Sequence, residues 1–237
     1  EATNRAPNPM VNAGAIAVTD LIAGDSVHDR VELMRSMYER YLGRRPEIDH
    51  DVWASERATG NRNRAIAYLM LSRGIVGDNV EETLDLYFAQ CSVLVKVADL
   101  AMIGATIANH GVHPLTGEQI VSREVTRDML TVAQTCGMYD YAGQWLYDVG
   151  MPAKSGVGGG VLAVVPGRLG LAVYSPRLRP AVISHLAAKS GVSALSFSRQ
   201  ARLVTKIAGW LTTVECSVAS GPSLQTLARS YPRISLA

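Results

Sequence analysis

The sequence has no long apolar run, no closely spaced cysteines and no basic N-terminal leader, and each absence argues against a class of protein. The longest helical apolar stretch, 94–108, contains Lys96 and Asp99, so it is not expected to span a membrane. The three cysteines lie far apart without a Cys-x-x-Cys pair, which argues against a disulfide framework and against zinc. We expect reduced thiols and a cytoplasmic protein without a secretory signal or a metal site.

The composition is that of a globular chain with an uneven distribution of charge. Hydrophobic residues make up 48% of the sequence, which is enough for a buried core. Residues 1–178 carry a net charge of −4, whereas residues 179–237 carry +6 and contain ten serines. This shift predicts a boundary near residue 178, between a main domain and a basic tail. The chain also lacks an initiator methionine, so we expect it to begin inside a longer protein.

Helical periodicity is clear in the first two thirds of the chain. In 30–42 and in 62–72 the apolar residues recur at helical spacing, and a glycine follows each segment closely. Charged residues fill the remaining positions of 30–42. Asn79, with Glu82 three residues later, predicts a capping box at the start of a third helix.

Two further helices are predicted before residue 140, and one is predicted in the tail. The fourth spans 93–109, and Ser122 is expected to cap a fifth. The residues of the fifth helix predicted to face inward are Val125, Met129, Leu130 and Ala133. The tail helix is predicted at 194–214. His110 and His113 lie near Gly111 and Pro114, so we interpret them as loop residues and not as metal ligands.

The pattern changes to β-structure after Gly160. The segments "VLAVV" and "LGLAVY" are apolar at successive positions and are separated by Pro166-Gly167. Strands that are apolar on both faces need cover on both faces. We therefore predict a hairpin in a central antiparallel sheet flanked by helices, in an α/β protein with a separate helical lobe.

The stretch "PAKSGVGGG" at 152–160 has three interpretations. A phosphate-binding loop is disfavoured, because its lysine would follow the glycines and a helix would follow the lysine. A tight turn is the plain structural alternative. The third is the lysine-containing strand edge of serine acyl-transfer enzymes, where glycines let the backbone N–H groups approach a developing oxyanion.

Several strings together make the third interpretation the strongest. They are "NPMVNAGAI", "ASERATGNRN", "YFAQCS" and "GMYDYAGQWLYDVGMPAKSGVGGGVLAVVPG". Together they resemble the serine-dependent glutaminase family, which has the β-lactamase and transpeptidase fold, and the resemblance covers about residues 7–178. It implies an amidohydrolase that converts L-glutamine to L-glutamate and ammonia without a cofactor. Substrate is expected to bind between the helical and sheet lobes. The family commonly forms homodimers or homotetramers, and no nucleic-acid or membrane partner is expected.

The resemblance also implies roles for individual residues. The substrate-binding positions carried over are Asn12, Glu56, Asn63, Tyr87, Tyr139 and Val157. Glu56 can pair with the α-ammonium of glutamine, while amides and hydroxyls can bond to either end of the substrate. The backbone N–H of Val157 would help to form the oxyanion hole. Lys154 and Tyr139 are the predicted catalytic residues, adding positive charge and moving protons.

Each of these residues also has a plain structural alternative. Tyr87 lies on an apolar helical stripe and Tyr139 suits a buried aromatic, so either can be a packing residue. Asn12 can be a helix cap, and Glu56 can be a solvated charge near a helix end. Asn63 and Lys154 can be a polar loop residue and a surface charge. The joint match to one family favours the binding roles.

The chain departs from the family in two places. It contains no Ser-x-x-Lys element, which would supply the nucleophile upstream of "NPMVNAGAI". The resemblance ends after "YSPRL", where the tail is either an out-of-frame translation or a genuine segment that binds an anionic partner. Three functions stay open: a glutaminase, a non-catalytic amino-acid-binding or regulatory remnant, and a penicillin-interacting acyltransferase. The last is disfavoured because the glutaminase strings are the denser match.

Overall fold

A computed structural model describes residues 8–174, together with the backbone of 215–220, 223–225 and 234–235. The chain divides into two compact units, residues 1–94 with 235–237 and residues 95–234. The helices are α1 (Asn12–Asp20), α2 (Val27–Leu42), α3 (His50–Thr59), α4 (Asn61–Leu71), α5 (Val80–Cys91), α6 (Val97–Ala108), α7 (Arg123–Cys136) and α8 (Ala142–Val149). The strands are β1 (Leu94–Val95), β2 (Ala153–Ser155), β3 (Gly160–Val165), β4 (Leu169–Tyr174), β5 (Glu215–Ser220), β6 (Ser223–Gln225) and β7 (Ile234–Ser235). No helix in the described part is long and apolar enough to cross a membrane.

The first unit is helical, and its core forms where α1 and α4 pack on α5. Phe88 and Leu84 of α5 and Ile16 of α1 are at most 1% exposed and share one apolar cluster. The short residues around Ile16 let α1 lie close to its neighbours. A Cβ at Gly14 would lie 2.3 Å from the Pro9 Cα, so the chain before α1 folds tightly against the first turn of the helix.

The second unit is an antiparallel sheet with helices on both faces. Strands β2 to β6 pair in chain order, and the hairpin of β3 and β4 aligns Val165 with Leu169. Leu171 and Val173 of β4 pack in the apolar cluster that also includes residues of α8. The alternate residue Gly170 faces α6, because successive side chains of a strand point to opposite faces. The predicted hairpin and its two-sided cover are confirmed.

The helix predictions are confirmed in outline and corrected in detail. Strand β1 occupies the start of the predicted helix 93–109, the Leu94 N–H donates to the Glu47 carbonyl, and α6 begins only at Val97. Asn79 does precede α5, but its side chain makes no capping hydrogen bond. Ser122 caps α7 by accepting a hydrogen bond from the Val125 N–H. The predicted tail helix 194–214 lies outside the described residues.

The inward face of α7 was predicted wrongly at two positions. Val125 is 46% exposed and Met129 is 36% exposed, whereas Thr126 is buried and Leu130 packs partly against α6. Thr126 and Leu130 are four residues apart and define the covered face. A helical apolar stripe shows which residues share a face, but the neighbouring elements decide which part of that face is buried.

The loop between α6 and α7 contains both histidines, as predicted. His113 is 2% exposed, and its Nδ1 accepts hydrogen bonds from the N–H groups of Leu115 and Thr116 at 3.2 Å each. A neutral imidazole that accepts at Nδ1 carries its proton on Nε2. Within the described part of the chain, this Nε2 has no hydrogen-bond partner. The ring therefore holds the turn through one nitrogen and buries an unpaired N–H at the other.

His113→Asn is expected to leave stability unchanged or to raise it. An asparagine Oδ1 can accept the same two N–H groups in an Asx-type turn, and no buried ring N–H would remain. His113→Ala, which removes the acceptor, is expected to cost about 1–2 kcal/mol. Urea unfolding of the three proteins measures the difference. Equal destabilisation by both substitutions would show that Nδ1 does not hold the turn.

Candidate functional site

In the first unit, Asn12 and Asn63 are joined directly. The Nδ2 of Asn12, the first residue of α1, donates to the Oδ1 of Asn63 at 2.7 Å. Asn63 lies in the first turn of α4 and is only 8% exposed. Among the described residues, neither side chain makes another hydrogen bond, so the Asn12 carbonyl and the Asn63 amide group remain available to a ligand.

Glu56 lies in α3 close to the point where α3 meets α4. Only Gly60 separates these helices, and a Cβ there would lie 2.5 Å from the Phe88 Cζ. This close contact sets the path of the chain between Glu56 and Asn63. The Glu56 side chain is half-buried and has neither a hydrogen bond nor an ion pair within the part of the chain described. An unpaired carboxylate in this setting suits the ammonium group of a ligand.

Tyr87 combines a packing role with a polar contact. Its ring packs against the apolar cluster of the first unit, with its centroid 5.9 Å from that of Phe88. Its hydroxyl is hydrogen-bonded to the Cys91 thiol one turn later in α5. Burial raises the pKa of Cys91 to about 11, against the opposing effect of this hydrogen bond, and the nearby Glu56 charge adds to the rise. Cys91 therefore lies within electrostatic reach of two predicted site residues.

In the second unit, Lys154 and Tyr139 are in contact. The Lys154 Nζ lies 4.7 Å from the centroid of the Tyr139 ring, within the range of a cation–π interaction, and also donates to the Ser155 carbonyl. Burial lowers the pKa of Lys154, although the neighbouring Cys136 acts in the opposite direction. Burial also raises the pKa of Tyr139, which favours the neutral phenol over its anion.

Tyr139 adopts a left-handed backbone conformation with φ of 53°. This conformation is strained for a bulky residue, and such strain is concentrated at functional sites. The preceding turn rests on β2, because the Ser155 N–H donates to the Gly137 carbonyl at 3.1 Å. A Cβ at Gly137 would lie 1.9 Å from the Ala153 carbonyl oxygen, so only glycine permits this contact. Gly137 thereby brings Tyr139 beside Lys154.

The glycine-rich loop follows Lys154 and Ser155 and closes on itself. The Gly156 N–H donates to the Gly160 carbonyl at 2.8 Å, and the Gly159 N–H donates to the Gly156 carbonyl at 3.0 Å. Val157, between them, is 71% exposed, and its backbone N–H donates to no acceptor in the described residues. A free N–H at this position has the chemistry required of an oxyanion donor.

The predicted site residues thus fall into two groups. Asn12, Glu56, Asn63 and Tyr87 belong to the first unit. Tyr139, Lys154 and Val157 belong to the second unit. Sequence reasoning did not identify the supporting roles of Gly60, Gly137 and Cys91; a glycine at each helix end was the only visible signal for the first two. Among the described residues, no cluster of three or more histidine, cysteine or acidic side chains is placed to hold a metal.

Lys154→Met is expected to raise the melting temperature at pH 7. Burial lowers the pKa of Lys154 below its ordinary value of 10.5, so its charged form is less stable in the fold than in the unfolded chain. Between the lowered pKa and 10.5 the unfolded chain binds more protons, so wild-type stability rises with pH through that window. The advantage of the variant should therefore shrink as pH approaches 10.5.

Thermal unfolding measured from pH 7 to pH 10 tests this expectation. Arg168→Met is the matched control, because Arg168 is an exposed cation in the neighbouring hairpin and should give no such trend. A pH-independent difference between wild type and Lys154→Met would show that burial of the ammonium does not cost stability.

Comparison with known proteins shows the family of this chain. The sequence model of the Glutaminase family matches residues 1–197. A glutaminase of Microcystis aeruginosa is 56% identical over 178 residues, which cover 75% of this chain and 53% of that protein. A glutaminase of Corynebacterium efficiens is 49% identical over 178 residues, covering 74% of this chain and 42% of its own length. The chain therefore spans about half the length of such relatives.

Solved structures agree with the sequence comparison. Mglu in its glutamate form superposes with a TM-score of 0.73 and 43% identity, covering 82% of this chain and 44% of that one. The covalent complex of a Bacillus subtilis glutaminase with 5-oxo-L-norleucine, formed by reaction with 6-diazo-5-oxo-L-norleucine, superposes with a TM-score of 0.71 and 33% identity. That superposition covers 79% of this chain and 70% of the other. The predicted α/β fold of the β-lactamase type is confirmed.

Proposed function

We propose, on the premise that this chain belongs to the glutaminase family, that it is part of an enzyme converting L-glutamine to L-glutamate and ammonia. The observation that carries the proposal is the unpaired, half-buried carboxylate of Glu56, in the same unit as the joined Asn12 and Asn63 amides. A free amino acid carries an ammonium and a carboxylate. The Glu56 carboxylate can pair with the ammonium, and the Asn12 and Asn63 amides can form hydrogen bonds with the carboxylate. A ligand lacking the ammonium would leave Glu56 without a partner.

The reaction requires a nucleophile that this chain does not contain. In the proposed sequence of steps, a serine hydroxyl attacks the side-chain carboxamide carbon, and the oxygen of that amide becomes negatively charged. The Val157 N–H is proposed to donate to this oxygen. The carbon–nitrogen bond then breaks with transfer of a proton to nitrogen, releasing ammonia, and water hydrolyses the resulting ester to glutamate.

Tyr139 and Lys154 are proposed to serve the proton transfer. Burial raises the pKa of Tyr139, which favours its neutral phenol, and we propose that this phenol donates to the leaving nitrogen. Lys154 is proposed to hold positive charge beside that phenol and to stabilise its anion after proton transfer. The proton that the attacking serine loses restores the phenol. In the second step one proton of the attacking water passes through the same phenol to the serine oxygen, which regenerates the serine hydroxyl.

One observation supports a second candidate, a non-catalytic amino-acid-binding or regulatory remnant. The sequence contains no Ser-x-x-Lys, so no acyl-enzyme can form on that element within this chain. The residues proposed to bind the amino acid in the first unit are nevertheless present. The two candidates share their ligand and differ only in turnover.

Calorimetric titration with L-glutamine and L-glutamate, combined with an ammonia-release assay, tests both candidates. Binding without ammonia release by this chain, together with release by a longer form that includes Ser-x-x-Lys, supports the glutaminase proposal. Binding without release by every form supports the remnant. Absence of binding to either amino acid contradicts both, and acylation by a penicillin would favour the disfavoured acyltransferase.

We also propose a cytoplasmic homodimer or homotetramer that has neither a membrane nor a nucleic-acid partner. The wide spacing of the three cysteines supports a cytoplasmic location. The resemblance to the family supports the homodimer or homotetramer. Light scattering on the purified protein tests the assembly. The boundary between residues 1–178 and 179–237 likewise remains a proposal, and the match to the family model runs to residue 197.

A further inference from the structure

Arg30 on α2 is a buried cation that binds the carboxyl end of α1. It is 6% exposed, although its neighbours on α2 include several solvated charges. Its Nε donates to the Ile22 carbonyl at 2.9 Å, and its Nη2 donates to the carbonyls of Thr19 and Asp20 at 3.0 and 3.2 Å. Among the described residues it forms no ion pair with a carboxylate, so backbone carbonyls alone satisfy the buried guanidinium.

The position of this cation suits the end of a helix. The last carbonyls of a helix have no partner within the helix, and the helix dipole places partial negative charge there. The planar guanidinium reaches three carbonyls at once, a geometry that a lysine ammonium does not reproduce. Arg30 therefore fixes both the axial position and the rotation of the final turn of α1.

Other contacts also hold the same end of α1, whereas the start of the helix is held by the Asn12–Asn63 hydrogen bond and by the packing of Gly14 against Pro9. The Asp20 carboxylate accepts from the Thr83 hydroxyl at 2.6 Å and from the Gly77 N–H at 2.9 Å. At the other end, no side chain caps the first turn of α1, and Asn12 is its first residue. A helix of nine residues is rigid over this length, so a shift at its carboxyl end displaces Asn12.

We propose that Arg30 is a positioning residue for substrate binding. By fixing the carboxyl end of α1, it holds Asn12 at the distance from Asn63 that keeps their side chains hydrogen-bonded and their free groups turned to the ligand. This inference rests on the proposed function, because it assumes that Asn12 and Asn63 contact L-glutamine or L-glutamate. Arg30 itself acts only through α1.

The first experiment measures Asn12 without a ligand. In the full chain labelled with ¹⁵N-asparagine, the side-chain amide signal of Asn12 is assigned from its loss in Asn12→Asp. We expect Arg30→Met to shift this signal and to speed its exchange with water. We expect Arg35→Met to leave it unchanged, because Arg35 lies on the same helix but donates to Glu32 and the Pro46 carbonyl. An unchanged Asn12 signal in folded Arg30→Met overturns the proposal.

The second experiment measures coupling in binding. Arg30→Met is expected to weaken L-glutamate binding about tenfold, the effect of losing one hydrogen bond to the ligand. In an Asn12→Ala background the same substitution should change affinity less than about twofold, because its effect is transmitted by Asn12. Equal losses in both backgrounds would mean that Arg30 supports the fold alone and would overturn the proposal.

The proposal for Arg30 stays testable if a variant does not fold or if the proposed function is wrong. If Arg30→Met does not fold, Arg30→Lys replaces it, because lysine keeps the charge and lacks the planar guanidinium. The Asn12 amide signal and the L-glutamate affinity of that variant then test the proposal in the same way. If the wild-type chain binds no amino acid, the proposed function fails. The Asn12 signal then still shows whether Arg30 positions that residue.

Discussion

Gly170→Ala is expected to unfold the second unit at temperatures where the wild-type protein is folded. A Cβ on Gly170 would lie 2.2 Å from the Ala105 N and 2.6 Å from the Gly104 Cα, both of which are backbone atoms of α6. A flexible side chain could move aside, but a helix backbone can move only by separating from the sheet. That separation opens the α6 contact with β3, β4 and β5, and we expect a loss of at least about 3 kcal/mol.

Gly160→Ala is the matched control for this prediction. Gly160 lies in the same sheet, and its added Cβ would have the Leu100 Cδ1 at 3.5 Å as its nearest neighbour, an ordinary contact. Thermal and urea unfolding followed by circular dichroism measure both variants. We expect the control to remain within about 1 kcal/mol of wild type. If Gly170→Ala melts as late as the control, then α6 is not packed on β4 at the distance described.

Glu56→Gln is expected to reduce L-glutamate affinity by about ten- to a hundredfold without loss of stability. The substitution keeps the shape of the side chain and removes its charge, so the ligand ammonium loses a charge-assisted hydrogen bond of about 1.5–3 kcal/mol. Stability should be unchanged because Glu56 has no hydrogen-bond or ion-pair partner to lose within the described part of the chain. Calorimetric titration and thermal unfolding of the same preparations give both quantities.

Glu82→Gln is the control that removes one negative charge away from the proposed ligand site. Glu82 is an exposed acid in the first turn of α5, in the same unit, and removing its charge changes the overall electrostatics equally. We expect its affinity for L-glutamate to stay within about twofold of wild type. Equal affinity of Glu56→Gln and wild type would remove Glu56 from the ligand site.

Local sequence patterns predicted helices and strands correctly where the tertiary structure favours the same conformation. The hairpin of β3 and β4 is one such case, because Pro166-Gly167 forms a turn and the flanking segments are apolar on both faces. The predicted Asn79 capping box was wrong: the Asn79 backbone has φ −84° and ψ 48°, not the extended conformation usual for a capping residue, and its side chain makes no capping hydrogen bond. The prediction for Val125 and Met129 was wrong for a related reason, since these side chains stay 46% and 36% exposed while the neighbouring elements bury Thr126.

The candidate site shows the same division. Its residue types and their spacing are visible in the strings that resemble the glutaminase family. The contacts between them are not visible, because Asn12 and Asn63 are 51 residues apart and Tyr139 and Lys154 belong to separate elements. The left-handed backbone conformation of Tyr139 and the contact of Gly137 with β2 are also invisible in the sequence.

The sequence by itself determined the family, the order of most helices and the central hairpin, because turn residues and hydrophobic periodicity act over a few neighbouring positions. Only the tertiary structure decided which charges are buried. Arg30 and Lys154 occur in segments where a charged side chain is expected to face solvent. One instead binds the end of α1 and the other lies over Tyr139. Burial of a charge depends on partners that distant parts of the chain supply, and no local pattern encodes them.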